Sequence, residues 1–168
     1  MNRHPDGTRH TRNMLELAAL EHGSKILDMG AGDGETLEIL REMGFIAMGI
    51  DIAPRGECVE KCDFLNTPYP DGSFDAVISQ CAFYAGGDVD KALLEAHRLL
   101  RCGGTLLLSD VWFTDPAEAV TKAGFNIMHR EDMTALWREY YIEALWRGEC
   151  CPAVSGRCTY EALILKSD

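Results

Sequence analysis

The segment Lys25-Ile26-Leu27-Asp28-Met29-Gly30-Ala31-Gly32-Asp33-Gly34-Glu35 decides the fold of this chain. Its first five residues predict a buried β-strand, and the glycines after them predict a tight turn into a helix that begins near Glu35. Glycines let the backbone come closer to a ligand than any side chain permits, and the first N–H groups of a helix have no partner within the helix. The segment therefore predicts a binding turn for a nucleotide-like ligand.

The spacing of these glycines distinguishes between ligands. It is G-x-G-x-G, whereas a dinucleotide-binding turn is typically G-x-G-x-x-G. A dinucleotide site needs a small residue at position 35, where the helix starts beside the pyrophosphate, but this chain has Glu35 there. The sequence therefore disfavours anionic ligands, and a nicotinamide-dependent oxidoreductase is only a distant alternative.

Length and charge limit the class of protein further. The 168 residues, 46% of them hydrophobic, predict one domain over residues 1–168. The 16 basic and 27 acidic residues give a formal charge of −11, which disfavours nucleic acid and anionic membranes as partners. Residues 1–12 are expected to form a polar arm without the apolar core of a signal peptide, and no apolar run is long enough to span a bilayer. We therefore expect a cytoplasmic protein.

Strand and helix patterns alternate along the chain. After the first strand, further strand patterns cover residues 45–51, 59–61, 74–79, 105–110, 125–130 and 160–166. Helical patterns cover residues 35–43, 89–101 and 116–122. This alternation predicts an α/β fold with a mostly parallel, doubly wound sheet that helices cover on both faces.

Two segments depart from this alternation. Only six residues, 53–58, precede the short third strand, which is too few for a crossover helix, so one helix after the second strand is lost. An apolar stripe within residues 132–147 predicts an added amphipathic helix before the last strand. The stripe fits either packing on the sheet or a lid over a substrate.

Residues that follow the strands are the candidates for the ligand site, because open parallel sheets bind ligands at the carboxyl ends of their strands. Asp51 ends the second strand, 17 positions after Gly34, and a carboxylate there has two oxygens that can accept bonds from both hydroxyls of a ribose. The alternative interpretation of Asp51 is a solvated loop carboxylate. Its combination with the glycine turn favours the ribose role.

Four ordered blocks between residues 24 and 110 resemble the class I S-adenosylmethionine-dependent methyltransferases, especially the small-molecule branch that includes the ubiquinone and menaquinone biosynthesis enzymes. The blocks are residues 26–34, 49–52, 62–77 and 95–106. The resemblance implies a Rossmann-like sheet of about seven strands with the last strand antiparallel. It also implies S-adenosyl-L-methionine as the cofactor, a sulfonium without phosphate that tolerates nearby carboxylates.

The resemblance also assigns residues to parts of the cofactor. Asp28 and the glycine turn would hold the methionine part, Asp51 the ribose, Asp63 the adenine amino group, Phe64 the ring, and Ser79 would lie by its backbone near the sulfonium. The complete set of implied cofactor residues is Asp28, Gly30, Ala31, Gly32, Gly34, Asp51, Ile52, Asp63, Phe64 and Ser79.

The acceptor side is less defined. We expect the helix of residues 132–147 to cover a small-molecule substrate, with Cys81, Tyr84, Trp112 and Tyr141 as the candidate substrate contacts. Methyl transfer is an in-line displacement that rests mainly on positioning, with a base required only if the nucleophile arrives protonated. The weak candidates for a catalytic group are Tyr84, His129 and Cys81, with His10 on the arm as a further possibility.

Seven cysteines, at positions 58, 62, 81, 102, 150, 151 and 158, leave an alternative open. Most are expected to be reduced thiols, and no metal site is predicted because the spacing of Cys58 and Cys62 lacks a second pair. Thiolates prefer soft centres, so a thiophilic substrate such as arsenite is one alternative. A non-catalytic S-adenosylmethionine-binding subunit is another, and the short, uncovered edge strand suggests a homodimer.

Overall fold

A seven-stranded sheet forms the centre of the fold in the computed structural model, which describes residues 5–148 and 156–168. The strands are β1 (Lys25–Met29), β2 (Ile46–Asp51), β3 (Glu60–Lys61), β4 (Phe74–Gln80), β5 (Leu100–Trp112), β6 (Phe125–Asp132) and β7 (Thr159–Ser167). Their order is β3-β2-β1-β4-β5-β7-β6. The first five strands pair in parallel, and β7 runs antiparallel to β5 and β6, which confirms the predicted sheet.

Helices cover both faces of this sheet. They are α1 (Gly7–Ala18), α2 (Glu35–Glu42), α3 (Val89–Leu99), α4 (Pro116–Lys122) and α5 (Thr134–Trp146). Buried side chains of α3 and α4 belong to one apolar cluster, and those of α1, α2 and α5 to a second cluster. The apolar residues of β1, β4 and β5 alternate between the two clusters because successive side chains of a strand point to opposite faces. None of the helices in the described ranges is long and apolar enough to cross a bilayer.

The segment between β2 and β3 lacks the usual crossover helix, as predicted, and it folds against the glycine turn. The Arg55 N–H donates to the Gly32 carbonyl at 2.8 Å, so the segment folds back over the glycine turn. Gly56 is so close to this turn that a Cβ atom would lie 2.1 Å from the Asp33 carbonyl oxygen. The short segment thus contacts the glycine turn directly, without a helix between them.

Residues 7–12 of the predicted polar arm are helical, since α1 begins at Gly7. Two of their polar side chains are buried against the sheet: the His10 ring Nε2 lies 2.8 Å from the Ser109 hydroxyl, and the Thr11 hydroxyl donates to the Gln80 side-chain oxygen at 3.2 Å. The prediction of a polar arm does not hold for residues 7–12, because these partners lie far away in the chain and polarity alone indicated exposure. His10 is therefore a buried group and not a mobile base.

Helix α5 packs on the sheet through part of its apolar stripe. Trp137 stacks on Tyr160 of β7 with ring centroids 6.2 Å apart, and Ala144 is fully buried. Leu136 and Leu145, which belong to the same stripe, are 43% and 53% exposed. The alternative interpretation, packing on the sheet, thus describes half of the stripe.

Candidate cofactor site

The carboxyl ends of β1, β2 and β4 enclose a cavity of about 320 Å³. This volume lies within the range of about 300–1,000 Å³ that is usual for small-molecule sites. The side chains and backbone that line it are those of Asp28, Gly30, Ala31, Gly32, Asp33, Glu35, Thr36, Asp51, Ile52, Arg55, Phe64, Gln80, Cys81, Ala82, Ala85 and Gly86.

The glycine turn forms the floor of this cavity. Hydrogen bonds to β2 and a close contact with the loop after β4 hold it in place. The N–H groups of Gly30 and Ala31 both donate to the Ile50 carbonyl, at 2.9 and 3.0 Å. Gly30 has a φ of +93°, and a Cβ atom there would lie 2.3 Å from the Ala82 Cβ. Glycine is therefore required at position 30 both by the backbone conformation and by the loop after β4.

Asp51 is held in place by two backbone bonds. Its Oδ2 accepts from the Gly32 N–H at 2.9 Å, and its Oδ1 accepts from the Ala53 N–H at 2.8 Å. A carboxylate oxygen can accept more than one bond, so each oxygen keeps acceptor capacity toward the cavity. The carboxylate is therefore positioned for a ligand that brings two hydroxyl groups.

Asp28 is a buried carboxyl in this cavity, with 4% of its surface exposed. Burial, and next the charges of Asp51 and Asp33, raise its pKa to about 8. Glu35 adds a further carboxyl, while Arg55 supplies the one guanidinium among the described residues that line the cavity. A ligand with positive charge would relieve this repulsion, whereas an anion would increase it.

Gln80 belongs to the site, although no specific role was predicted for it from the sequence. Its Oε1 accepts bonds from the hydroxyls of Thr11 and Thr36, at 3.2 and 3.4 Å. Its buried Nε2 has no hydrogen-bond partner among the residues that the structure describes. Because Gln80 lines the cavity, its amide is a donor available to an acceptor atom of a ligand.

The loop after β4 is held by Asp110, which is 2% exposed. Its Oδ2 accepts from the N–H groups of Phe83 and Tyr84, at 2.8 and 3.2 Å. Burial raises the pKa of Asp110 to about 6, although the backbone bonds oppose this shift. Cys81, at the start of this loop, has a φ of +58° and places its sulfur 3.1 Å from the Tyr160 hydroxyl.

The structure brings together eight of the residues singled out from the sequence. Asp28, Gly30, Ala31, Gly32, Asp51, Ile52, Phe64 and Cys81 all line the cavity. No individual role was predicted for Asp33, Thr36, Arg55, Gln80, Ala82, Ala85 and Gly86, whereas Glu35 was expected beside the ligand. The available signal was their position after the ends of β1, β2 and β4, since strand ends converge in such a sheet.

Three of the implied cofactor residues do not line the cavity. Gly34 is the N-cap of α2, and its carbonyl accepts from the Leu37 N–H. The exposed Asp63 carboxylate accepts from the Leu65 N–H at 2.9 Å. Ser79 is fully buried, and its hydroxyl donates to the Met29 carbonyl at 2.7 Å, so it joins β4 to β1.

Two candidates for catalysis or substrate contact lie away from the cavity. His129 is on β6, three strands from β4 and thus roughly 14 Å away across the sheet. Tyr141 stacks on Trp137 with ring centroids 5.2 Å apart, on the face of α5 that packs against β7. Their proposed roles required a different strand order or helix orientation, which spacing alone did not reveal.

A second, larger cavity of about 720 Å³ lies at the carboxyl end of β5, between β6, β7 and α5. Trp112 and Phe113 line it, together with Thr134 and Arg138 of α5. The ring centroids of Phe113 and Tyr84 are 5.4 Å apart, and Tyr84 belongs to the loop after β4 that borders the cofactor cavity. Of the substrate candidates, Trp112 thus lines the second cavity and Tyr84 lies between the two cavities.

The described cysteines do not gather in one place. Cys81 lines the first cavity and Cys158 the second, while Cys58 and Cys102 are exposed. No group of three or more potential metal ligands occurs in residues 5–148 and 156–168. Cys150 and Cys151 lie outside the described residues.

Comparison with known proteins shows similarity to methyltransferases. Residues 27–108 match the family model described as a methyltransferase domain. The chain is 33% identical to a demethylmenaquinone methyltransferase of Thermus thermophilus, over 73% of this chain and 60% of the relative. It is 32% identical to ribosomal RNA-processing protein 8 of Caenorhabditis elegans, over 65% and 33%, and 30% identical to an arsenite methyltransferase of Aquipseudomonas alcaligenes, over 65% and 39%.

Solved structures of methyltransferases have a similar fold. A solved structure from Galdieria sulphuraria, described as a putative sarcosine dimethylglycine methyltransferase, superimposes with a TM-score of 0.75 at 18% identity, over 94% of this chain and 84% of that chain. The chain spans 60% or less of the length of the curated relatives named above. With its strand order, its glycine turn and the matched segment, this chain belongs to the class I S-adenosylmethionine-dependent methyltransferases.

Proposed function

We propose that this protein transfers a methyl group from S-adenosyl-L-methionine to a small-molecule acceptor. The observation that carries the proposal is the set of carboxyls around the glycine turn, above all the buried Asp28 with its raised pKa. A sulfonium and an ammonium group offer the positive charge that such a cavity favours. A phosphate-bearing cofactor such as NAD would instead meet Glu35 and three aspartates.

Each part of the cofactor finds suitable chemistry in the cavity. Asp51 has acceptor capacity for the ribose hydroxyls, and Phe64 offers an aromatic face for the adenine. Asp28 balances positive charge on the methionine part, while the Gln80 amide can donate to its carboxylate. Catalysis by positioning then needs only that the acceptor atom be held in line with the methyl group.

Titration calorimetry tests the cofactor assignment. We expect micromolar binding of S-adenosylmethionine and S-adenosylhomocysteine and none of NAD. Asp51→Asn should weaken binding about tenfold, because the amide nitrogen cannot accept a hydroxyl bond. Glu38→Gln, an exposed carboxyl on α2, is the matched control and should change nothing. Binding of NAD in preference to S-adenosylmethionine would refute the proposal.

Formation of S-adenosylhomocysteine in the presence of an acceptor tests the enzymatic step. A chain that binds the cofactor but yields no product with any small-molecule acceptor would support a non-catalytic binding subunit. That alternative rests on the absence of an evident general base near Cys81 and Tyr84 among the described residues. We favour the enzyme because methyl transfer to an unprotonated nucleophile needs no base.

Arsenite remains a separate candidate for the acceptor. Cys81 lines the cofactor cavity, and one relative is an arsenite methyltransferase. Cys81→Ser should abolish turnover of arsenite while leaving cofactor affinity unchanged, because a hydroxyl is a poor ligand for a soft centre. Unchanged arsenite turnover in this variant would exclude the role of Cys81.

Three expectations from the sequence remain part of the proposal. They are a cytoplasmic location, a homodimer formed through the edge of the sheet at β3, and the absence of nucleic acid partners. The net charge of −11 supports the last of these. Light scattering tests the dimer, and a monomeric mass would contradict it.

A further inference from the structure

The second cavity has the size and position of a binding site beside the cofactor cavity. Its volume of about 720 Å³ suits a small metabolite. The contact between the rings of Tyr84 and Phe113 adjoins both cavities. Asp110 holds the backbone on both sides of this contact, because it accepts hydrogen bonds from the N–H groups of Tyr84 and Val111. A ligand in the second cavity would therefore lie next to the loop that borders the cofactor.

The carboxylates of this second cavity already have donors. Glu161 accepts two bonds from the Arg130 guanidinium, and Asp115 accepts one at 2.9 Å. Asp132 accepts from the Thr134 N–H at 2.8 Å. The bonds from Thr134 lower the pKa of Asp132, so it is a carboxylate at neutral pH. None of these groups needs a ligand.

Two further arginines, Arg138 and Arg157, line the same cavity, and both are exposed. The charge of Arg138 helps to lower the pKa of Asp132, but neither arginine forms an ion pair or a side-chain hydrogen bond with any residue in the described ranges. Three guanidiniums and three carboxylates therefore line this cavity, in a chain in which carboxylates outnumber basic groups by 27 to 16.

Trp112 supplies an independent observation. It lines the cavity and is only 6% exposed, and its indole Nε1–H lacks an acceptor within the described part of the chain. A buried donor without a partner costs about 1–3 kcal/mol, which a ligand that brings an acceptor oxygen would recover. Two arginines and one indole thus offer donors to the same kind of ligand atom.

We propose that the second cavity binds the methyl acceptor through an oxyanion that pairs with Arg138 and Arg157. The oxyanion is a carboxylate or a phosphate, since both match the fork of a guanidinium. The apolar part of the acceptor lies against the rings of Trp112 and Phe113. This inference rests on the proposed function, because it assigns the acceptor of that same reaction.

Four aromatic probes of similar size test the charge requirement: benzoate, phenyl phosphate, benzamide and benzylammonium. The indole resonances of the three tryptophans in a ¹⁵N-labelled sample report binding, with the 87% exposed Trp146 as an internal control. Benzoate or phenyl phosphate should shift the Trp112 resonance saturably. Benzamide should bind about tenfold more weakly, because it cannot form a charge-assisted bond, and benzylammonium should not bind.

Variants of the arginines test the site. Arg138→Gln and Arg157→Gln should each weaken binding of the anionic probe about tenfold. Arg147→Gln changes an arginine that pairs with Glu143 at the end of α5, and it should leave the affinity unchanged. Benzoate and phenyl phosphate together decide which oxyanion the cavity prefers.

Several results would overturn the inference: equal affinity for benzamide and benzoate, no saturable shift with any probe, or the same loss in the Arg147 variant. Calorimetry with S-adenosylmethionine on the same samples separates the two proposals. Normal cofactor binding without anion binding refutes only the acceptor site. Absent cofactor binding refutes the proposed function, whatever the probes show.

Discussion

Replacement of Asp28 by Asn should remove the pH dependence of cofactor binding. The pKa of Asp28 is raised from 3.8 to about 8 by burial and by the charges of Asp51 and Asp33. At pH 7 only about one tenth of the empty protein therefore has this carboxyl ionised. A cationic ligand that requires the ionised form should bind about tenfold more weakly at pH 7 than above pH 9.

Calorimetry in two buffers with different ionisation enthalpies measures this effect directly. The wild-type protein should release about 0.9 proton per bound S-adenosylmethionine at pH 7, and Asp28→Asn should release about 0.9 proton less. Any titration of the cofactor itself is common to both proteins and cancels in the comparison. Equal proton release by the two proteins would refute an ionised Asp28 in the complex.

The same substitution should alter the stability of the empty protein. Between about pH 4 and pH 8 the folded chain keeps the Asp28 proton that the unfolded chain has lost, so the free energy of unfolding falls as pH rises. A shift from 3.8 to about 8 corresponds to a decrease on the order of 5 kcal/mol over this window. Urea unfolding of Asp28→Asn should lack this decrease, and parallel pH profiles would contradict the assigned pKa.

Further substitutions test the glycine turn, the amide of Gln80 and the ion pair between Arg98 and Glu95, which lies away from the site. Gly30→Ala should lower the free energy of unfolding by about 1–3 kcal/mol and abolish cofactor binding, because its Cβ would lie 2.3 Å from the Ala82 Cβ; normal binding in calorimetry would refute this. Gln80→Leu should weaken S-adenosylmethionine binding about tenfold by removing a donor, and an unchanged affinity would exclude that contact. Arg98→Ala should cost about 2 kcal/mol in urea unfolding at pH 7 without affecting the cofactor. The bonds from Arg98 lower the pKa of Glu95 to about 2. The difference in the free energy of unfolding between this variant and wild type should therefore shrink as the pH falls from about 4.5 to 2, and a constant difference would contradict this pKa.

The strands and the floor of the site could be predicted because the signals are local. The run from Lys25 to Glu35 contains both the apolar strand and the glycines, and Asp51 ends the neighbouring strand in the same sequence pattern. Parallel strands side by side bring these ends together whatever the rest of the chain does. The caps of α3 and α4 are local in the same way, since Asp88 and Asp115 each accept from an N–H within three residues.

Residues whose roles depend on distant partners could not be assigned. Ser79 follows the pattern of a strand-end ligand residue, but its hydroxyl reaches the Met29 carbonyl inside the sheet. His10 and Arg55 belong to polar segments whose composition indicated no packing partner. The structure places the first beside Ser109 and the second over Gly32, and neither contact leaves a periodic signal in the sequence.

Helix α5 explains why the acceptor side escaped sequence reasoning. Periodicity shows which residues share a helix face, but it does not show which face meets the sheet. Trp137 stacks on Tyr160 and thereby fixes the rotation of the helix, and Arg138, the next residue, lines the second cavity. About half of the apolar stripe that suggested a lid is therefore structural. The polar positions between its apolar residues, which the stripe led us to disregard, are the ones from which acceptor specificity should arise.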